Sequence, residues 1–457
     1  MTWVLAGILG YVALQLVIGL VVSRHIATED DYLLAGRRLG YGLATFSFFA
    51  TWFGAETCLS SAGRIYAEGL SGASAEPFGY GACLLFMGAV FAVPLWRRRL
   101  TTLADLFRQR FSPAVERLAV VLMVPTSVLW AAAQIRGFGQ VLDASAGVGV
   151  PLAISLAALV AIVYTGFGGM RADVLTDLIQ GVMIILGLVM LVAVLFPGMP
   201  EIGTAWRTVE PERLRLINTA QSPWLTLEAW AIPICGSVVA QELVARVLAT
   251  RSPAVARRSA LAGGGLYIAV GLIPVFIGLV GVGLLPNLDH PEQILPRLAQ
   301  QHLAPVLYVL FAGALVSAIL STVDSTLLAA SALTVHNLVL PRYPGLDEPA
   351  KVRCSRLGVV AFGLMAWALA LGAETIFELV ESASAFGSAG IFVIVLFGLF
   401  TRFGGPRSAT AALIVGALVW ILGTYVLAWE VVYLFALGGA ALAYAAIGWR
   451  EPIKPPT

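Results

Sequence analysis

The sequence predicts an all-α polytopic membrane protein with thirteen transmembrane helices joined mostly by short connections. Of its 457 residues, 59% are hydrophobic and 12% are charged, and the mean hydropathy is +0.89. Soluble domains typically contain about 45–50% apolar and about 25% charged residues. Apolar runs of about 20 residues, the length a helix needs to cross a bilayer, recur along the chain. A soluble fold is therefore excluded, and the net charge of +2 forms no basic patch for nucleic acid.

The predicted spans are the apolar runs bounded by Arg, Gly and Pro. They lie near 3–22, 42–65, 79–96, 118–141, 148–165, 174–196, 225–247, 260–284, 303–336, 357–371, 376–400, 409–428 and 431–449. The first run has no basic leading segment and no small-residue cleavage site. We therefore expect it to remain as a helix rather than to be removed as a signal peptide.

The distribution of Arg and Lys supports this number of spans, because cytoplasmic connections carry an excess of both residues. Of the 28 basic residues, 22 fall in alternate connections, on the side that also holds the C-terminus. This count places Arg246 in an inside connection and leaves only Arg64 and Arg136 within spans. We predict a multi-pass protein of the inner (cytoplasmic) membrane with its N-terminus outside and its C-terminus inside.

The spacing of Cys and His argues against an enzyme. The four Cys residues are far apart, and the four His residues occupy predicted connections or helix ends. Neither an HExxH metal motif nor a GxSxG nucleophile turn is present in the sequence. An ion channel is a more remote alternative, because the sequence contains no carbonyl filter repeat.

Two spans carry polar interruptions that lipid-exposed helices do not tolerate. The second span contains Gly54 and Glu56, and the seventh contains Pro233, Gly236 and Glu242. These spans stand five apart, so they begin two five-helix halves, 42–196 and 225–400, of inverted topology. Paired discontinuous helices in inverted halves are typical of secondary transporters. A simple Gly or Pro kink at each place is the alternative interpretation.

The ninth span carries a polar stripe on an otherwise apolar helix. Ser317, Ser321, Asp324 and Ser325 recur at helical spacing, and Thr322 flanks them. A carboxylate at this depth costs about 2.5–3.5 kcal/mol, so it should face the bundle and have a partner. Hydroxyl groups beside the freed carbonyls of a broken helix would supply the hard oxygen ligands of a small cation.

Asp177 lies near the inside end of the sixth span and has two interpretations. It is either a helix-start carboxylate stabilised by the helix dipole or a staging site for a cation that leaves toward the cytoplasm.

Four segments, in this order, resemble the sodium/solute symporter family: DYLLAGRRLG, ATWFGAET, GFGGMRADVLTDLIQG and SAILSTVDSTLLAASAL. The likeness covers nearly the whole chain. It implies a LeuT-like 5+5 inverted repeat, with one extra N-terminal and two extra C-terminal helices. The implied regions are 1–41, the ten-helix core 42–400 and 401–457. The implied activity is secondary active symport of a small organic solute into the cell by alternating access, with Na+ as the coupling ion.

The resemblance also implies which residues form the ion site. They are the main-chain oxygens of Ala50, Phe53 and Ala318, the hydroxyl oxygens of Ser321 and Thr322, and Asp177 on the path to the inside. The hydroxyl pair follows from the residues alone, whereas the carbonyl ligands come only from the family.

The stretch from ATWFGAET to SVLWAAAQI is most similar to the choline-carrier branch of the family. Trp52 and Trp130 match aromatic positions there, and two indole faces would hold an ammonium group by cation–π attraction. Packing or a membrane-interface belt is the alternative role for these indoles. Ala240 stands where a further aromatic is expected, so the predicted solute is an amine, a zwitterion or an amino-acid-like molecule rather than choline.

The remaining solute-site predictions concern polar side chains. The predicted solute-binding set is Trp52, Glu56, Thr57, Trp130, Gln134, Gln241 and Glu242, with Arg136 and Asp324 as further candidates. Glu56 and Glu242 would neutralise a cationic solute, or would instead pair with Arg or with freed main-chain amides. Arg136 would take a solute carboxylate. A proton-coupled carrier, or a carboxylate or sugar carrier of the same fold, remains the alternative function.

Overall fold

The computed structural model describes residues 26–451 except 199, 208, 219 and 220, together with isolated positions before residue 26. The predicted first span, 3–22, and the C-terminal tail therefore lie largely outside the described residues. All regular elements in the described part of the chain are helical, and one isolated bridge joins Leu39 to Thr250. The predicted all-α class is confirmed.

The described α-helices follow one another along the whole chain. They are α1 (Glu29–Leu34), α2 (Tyr41–Trp52), α3 (Ser61–Glu68), α4 (Tyr80–Phe86), α5 (Ala92–Arg97), α6 (Leu103–Arg110), α7 (Pro113–Ala146), α8 (Val150–Gly198), α9 (Pro200–Arg207), α10 (Pro223–Ala231), α11 (Gln241–Ala249), α12 (Pro253–Leu284), α13 (Ile294–His302), α14 (Pro305–Thr334), α15 (Glu348–Gly372), α16 (Ile376–Ala385), α17 (Ser388–Phe400), α18 (Pro406–Tyr425) and α19 (Tyr433–Gly448). Wider π-helical turns join several of them, at Glu56–Ser60, Ser74–Gly79, Met87–Phe91, Ile232–Gly236 and Val335–Val339.

Ser-Pro pairs set the starts of α7, α10 and α12. Ser112, Ser222 and Ser252 each accept a hydrogen bond from a main-chain N–H of the first turn, at 3.3, 3.3 and 3.2 Å. The proline that follows occupies the first helical position, where an N–H would have no helical partner.

Seven helices of the described chain are long and apolar enough to span a membrane, and two bent pairs raise that number to as many as nine. The pairs are Pro223–Gly236 with Gln241–Ala249, bent by 43°, and Ile376–Ala385 with Ser388–Phe400, bent by 40°. The predicted spans 148–165 and 431–449 match shorter apolar helices, Val150–Gly166 and Tyr433–Gly448. The predicted span 42–65 is divided between α2, Glu56–Ser60 and α3.

Two glycines with a positive φ mark bends within the predicted spans. The predicted spans 148–165 and 174–196 correspond to the two arms of α8, Val150–Gly166 and Gly169–Leu195, which meet at a kink at Gly169, where φ is 58°. A Cβ at Gly169 would lie 2.7 Å from the ring of Tyr32. The predicted span 376–400 corresponds to the bent pair α16 and α17, which is interrupted at Gly387, where φ is 68°.

α14 lies at the centre of the bundle, packed against α7 and α8. The apolar window of Pro305–Arg342 is 78% buried inside the protein, compared with 28% for the peripheral helix Glu348–Gly372. Polar side chains on α14 are therefore surrounded by protein rather than by lipid.

Candidate ion and solute site

The second predicted span is broken where the sequence places Gly54. α2 ends at Trp52, and Phe53 has non-helical φ and ψ of −86° and 70°. A Cβ at Gly54 would lie 2.3 Å from Gln134 Oε1 and 2.7 Å from Thr322 Oγ1. The break is thus built around a residue without a side chain, because α7 and α14 approach the main chain closely. It also frees the carbonyl of Ala50, which a continuous helix would bond to the N–H four residues on.

Two hydroxyl groups of α14 converge on this freed carbonyl. Ser321 Oγ lies 3.1 Å from the Ala50 oxygen, and Thr322 Oγ1 lies 3.4 Å from the same oxygen. Thr322 Oγ1 also lies 3.4 Å from the main-chain oxygen of Ala318. The structure thus brings together four of the predicted ion ligands, and Phe53 is buried at the break beside them. Such a set of neutral oxygens suits a small hard cation.

Asp177 stands directly behind Ser321. Its carboxylate accepts hydrogen bonds from Ser321 Oγ at 2.5 Å and from Ser47 Oγ at 2.6 Å, and its side chain is fully buried. It lies about two turns beyond the bend at Gly169. The interpretation of Asp177 as a helix-start carboxylate is therefore wrong, because the dipole effect falls off within the first turn.

A buried arginine completes this polar cluster, contrary to the prediction for its position. The sequence predicts an inside connection at Arg246, but this residue lies in α11 and is 1% exposed. Its Nη2 is 2.5 Å from Asp173 Oδ2 and 3.4 Å from Asp177 Oδ2, and Nη2 also bonds to Ser325 Oγ. The available signal was the pair of acids one turn apart in an apolar span, since buried carboxylates require a cation.

The side chain of Asp324 contacts the neighbouring helix α8. Its carboxylate accepts a hydrogen bond from Thr165 Oγ1 on α8. The predicted partner for this carboxylate therefore exists, but it ties α14 to α8 rather than lining the solute site.

The seventh predicted span is also interrupted. It continues from α10 into Ile232–Gly236, leaves the helical path and resumes as α11. A Cβ at Gly236 would lie 2.1 Å from the main-chain oxygen of Ser384, so this break is packed against α16. Ser237 Oγ donates to Ser384 Oγ at 3.0 Å, and the hydroxyls of Ser384 and Tyr80 are 2.7 Å apart.

Glu242 lies just beyond this second break and is 3% exposed. It lines a small cavity together with Trp130 and Ala240. Glu242 and Trp130, both predicted solute-site residues, therefore lie at the same cavity. Position 240 contributes the small side chain of Ala240 to its lining instead of an aromatic ring.

The two predicted indoles form an aromatic cluster with Tyr80. Trp52 and Trp130 stack at a centroid distance of 5.7 Å and an interplanar angle of 17°. Tyr80 meets each indole edge-on, at 5.8 and 5.5 Å. The stacked faces contact each other, so they do not enclose an ammonium group between them. Tyr80 gave no signal in the sequence analysis.

Two buried carboxylates lie next to this cluster. Glu56 accepts a hydrogen bond from Gln134 Nε2, and Gln134 Oε1 accepts one from the N–H of Ala55 at 2.8 Å. Glu76 was not predicted from the sequence. Its Oε2 accepts hydrogen bonds from Tyr267 OH at 2.5 Å and from Thr57 Oγ1 at 3.2 Å.

Two other candidate residues are engaged elsewhere by main-chain groups. Gln241 Oε1 accepts a hydrogen bond from the N–H of Leu103 at 2.8 Å. Arg136 Nη1 donates to the carbonyl of Ala370 at 3.2 Å, and its Nη2 donates to the carbonyl of Glu374. Arg136 therefore ties α7 to the end of α15, and its guanidinium group is not directed at the aromatic cluster.

A cavity of about 540 Å³ opens above Glu56, Glu76 and Tyr80. Among the described residues, its lining contains six Glu residues and one basic residue, Arg64. The cavity lies on the side of the bundle that carries the connection between α9 and α10, because Asn218 and Gln221 form part of its rim. Because Glu56 is part of its lining, the cavity extends to the residues that follow the break in the second span.

Comparison with known proteins agrees with this architecture. The sodium:solute symporter family profile matches residues 32–416. The chain is 27% identical to the high-affinity choline transporter 1 of Drosophila melanogaster, over 80% of this chain and 62% of that protein. It is 27% identical to its Homo sapiens counterpart, over 86% and 71%, and 26% identical to the sodium/proline symporter of Staphylococcus aureus, over 90% and 84%.

Solved structures establish the fold. A Na+-coupled sialic acid symporter in a substrate-bound outward-open state superimposes with a TM-score of 0.84 at 19% identity, covering 97% of this chain and 96% of that one. A closed nucleobase-cation-symport-1 family transporter gives 0.63 at 16% identity, covering 92% and 94%. The family profile match confirms the predicted membrane transporter class, rather than an enzyme. The chain belongs to the sodium:solute symporter family.

Proposed function

We propose that this protein uses the sodium gradient to carry a small amine-bearing organic solute into the cell by alternating access. One observation carries the proposal: two hydroxyls of α14 face the carbonyl that the broken helix frees at Ala50. A sodium ion at this place would bind the oxygens of both elements at once. Asp177 would orient the Ser321 hydroxyl by accepting its hydrogen bond, so that an oxygen lone pair of Ser321 faces the ion.

The proposed coupling is a population shift. Sodium bound between α2 and α14 would favour the arrangement in which the cavity is open, and it would thereby raise the affinity for solute. One charge that crosses the membrane gains about 2.3 kcal/mol per 100 mV. Asp177 and the buried Arg246 would then line the route by which the ion leaves.

The nature of the solute follows from the cavity. Glu56 and Glu76 lie at its floor beside the edge of an aromatic ring, which favours a protonated or quaternary nitrogen. Relatives named for choline and for proline support a nitrogen-bearing solute. Ala240 and the stacked indoles favour an amine, zwitterion or amino-acid-like solute over choline itself.

The proposed topology has thirteen membrane helices with the N-terminus outside and the C-terminus inside the inner membrane. The core would comprise residues 42–400, with 42–196 and 225–400 as inverted repeats, flanked by 1–41 and 401–457. The alternating Arg-rich connections support this orientation, even with Arg246 removed from the count.

A thermal-shift measurement with sodium itself tests the ion site. We expect NaCl, but not KCl at equal ionic strength and pH, to raise the melting temperature of the purified protein in a saturable manner. Ser321→Ala and Thr322→Ala should each weaken the apparent sodium affinity by about tenfold, because each removes one of roughly five ligands.

Thr326→Ala is the matched control on the same helix. Among the described residues, Thr326 bonds only to carbonyls of its own helix, at 3.0 and 2.9 Å, so its removal should leave the sodium response unchanged. A sodium response that survives both Ser321→Ala and Thr322→Ala would refute this site. Equal uptake of an identified solute in sodium and in potassium at fixed pH would instead favour proton coupling.

A further inference from the structure

The floor of the large cavity holds two carboxylates whose hydrogen bonding is incomplete. Glu56 and Glu76 are 1% and 5% exposed, and each uses its Oε2 for the contacts described above. In each residue the buried Oε1 has no hydrogen-bond partner in the described structure. An unpaired buried carboxylate oxygen is costly, so this arrangement points to a missing donor.

No basic side chain of the described cavity lining supplies that donor. Arg64, its one basic residue, is 2.8 Å from Glu68 Oε2, and its guanidinium group lies 3.8 Å from the ring centre of Phe377. Both contacts hold Arg64 on the cavity wall.

The apolar part of the floor fits a short hydrocarbon chain. Tyr80, Ile232 and Pro233 line the same cavity as the two carboxylates. These side chains can pack against methylene groups, while the edges of the cavity remain polar.

We propose that the solute carries two ammonium groups joined by a short alkyl chain, with Glu56 Oε1 and Glu76 Oε1 each accepting from one of them. This inference rests on the proposed function and narrows its solute class to diamines. Glu76 is then a specificity-determining residue, because a monoamine can bind at Glu56 without it. The hydroxyls of Thr57 and Tyr267 hold Glu76 in position.

Binding of defined amines to the purified full-length protein tests this inference. The ligands are 1,3-diaminopropane, putrescine, cadaverine and the monoamine butylamine, each titrated in a thermal-shift assay at constant NaCl and pH. The best diamine should reach half-saturation at a concentration about tenfold below that of butylamine, because it makes a second charge-assisted contact. Glu76→Gln should remove this advantage, and an unchanged sodium-dependent rise in melting temperature shows that the variant is folded.

Glu430→Gln is the control, because Glu430 lines the same cavity but is exposed at its rim. It should leave the tenfold preference unchanged. Equal half-saturation by diamines and butylamine in the wild-type protein would overturn the diamine inference and leave an amine symporter intact. A diamine preference that persists in Glu76→Gln would also overturn it. A normal sodium response without any amine response would overturn both the diamine inference and the proposed amine solute.

Discussion

At the scale of single residues, Arg246 links the predicted ion site to the rest of the bundle. Its Nε donates to Thr51 Oγ1 at 2.9 Å on α2, and its Nη2 pairs with Asp173 on α8. Asp177 also pairs with the Arg246 guanidinium group, and its carboxylate accepts a hydrogen bond from the Ser321 hydroxyl. A guanidinium fork can hold several acceptors in fixed positions at once, so one side chain sets the geometry behind the ion ligand.

Removing this charge should destabilise the protein severely. Arg246→Met leaves two buried carboxylates without a cation, and we expect a loss of about 3–5 kcal/mol, seen as a large fall in melting temperature. Arg246→Met combined with Asp173→Asn should recover part of the loss. Arg251→Met, at an exposed position nearby in the chain, is the control and should melt like the wild type. If Arg246→Met melts at the same temperature as Arg251→Met, the ion pairs contribute nothing to stability.

At the scale of the helix, the break at Phe53 and Gly54 brings two sites together. It frees the Ala50 carbonyl on one side and turns Glu56 toward the cavity on the other. The glycine is required by close approach rather than by its φ, because the nearest atoms belong to Gln134 and Thr322. A side chain at this position would therefore push α7 and α14 away from the break.

Gly54→Ala should consequently weaken the sodium response more than it lowers stability. We expect the apparent sodium affinity to fall by at least about tenfold, because the added methyl group meets the Thr322 hydroxyl. Gly265→Ala is the matched control, because a Cβ added at Gly265 in α12 would meet no atom within 4 Å. It should raise stability by about 0.5–1 kcal/mol and leave sodium binding unchanged. An unaltered sodium titration in Gly54→Ala would argue against an ion site at the break.

Sequence reasoning found the elements whose physical signal is local. A glycine and a charge in an apolar run marked the break at Gly54, and helical spacing of hydroxyls marked Ser321 and Thr322. It missed Glu76 and Arg246, because both lie near predicted span ends, where charged residues are normally solvated. Their burial depends on which helices pack together, and no single segment contains that information.

At the scale of the whole molecule, the two ends of the bundle differ. The large cavity opens at one end, beside the connection that precedes α10. A polar cluster closes the other end, beyond the last turn of α14. There Asn337 Nδ2 donates to Asp105 at 2.8 Å and to Glu116 at 2.9 Å, and its Oδ1 accepts from Thr102 Oγ1 at 2.7 Å.

The charge of the Asp105 carboxylate strengthens the contacts at this end of the bundle. Burial raises the pKa of Asp105, but hydrogen bonds from His336 and from main-chain N–H groups outweigh it, and the pKa lies below its usual value. Asp105 therefore stays ionised at neutral pH and holds α6 against the end of α14.

Asn337→Ala should loosen this end selectively. It removes three hydrogen bonds, two of them to carboxylates, so local opening should become at least about tenfold more frequent. Hydrogen–deuterium exchange of 103–110 should speed up accordingly, while exchange of 223–236 at the cavity end stays the same. Gln221→Ala, at the exposed cavity rim, should change neither segment. Equal exchange of 103–110 in Asn337→Ala and in the wild type would show that this cluster does not hold the end closed.

The short distance along the chain between Ala50 and Glu56 has a thermodynamic consequence. Glu56 follows Ala50 by six positions, on the far side of the same interruption. If a bound alkali ion orders this stretch, the solute loses less conformational entropy of the protein when it binds, so its affinity rises. Bound solute must then raise the affinity for the ion by the same factor. Titrating either partner in the presence of the other would therefore yield one shared interaction energy, and a low internal ion concentration would promote unloading of the cargo.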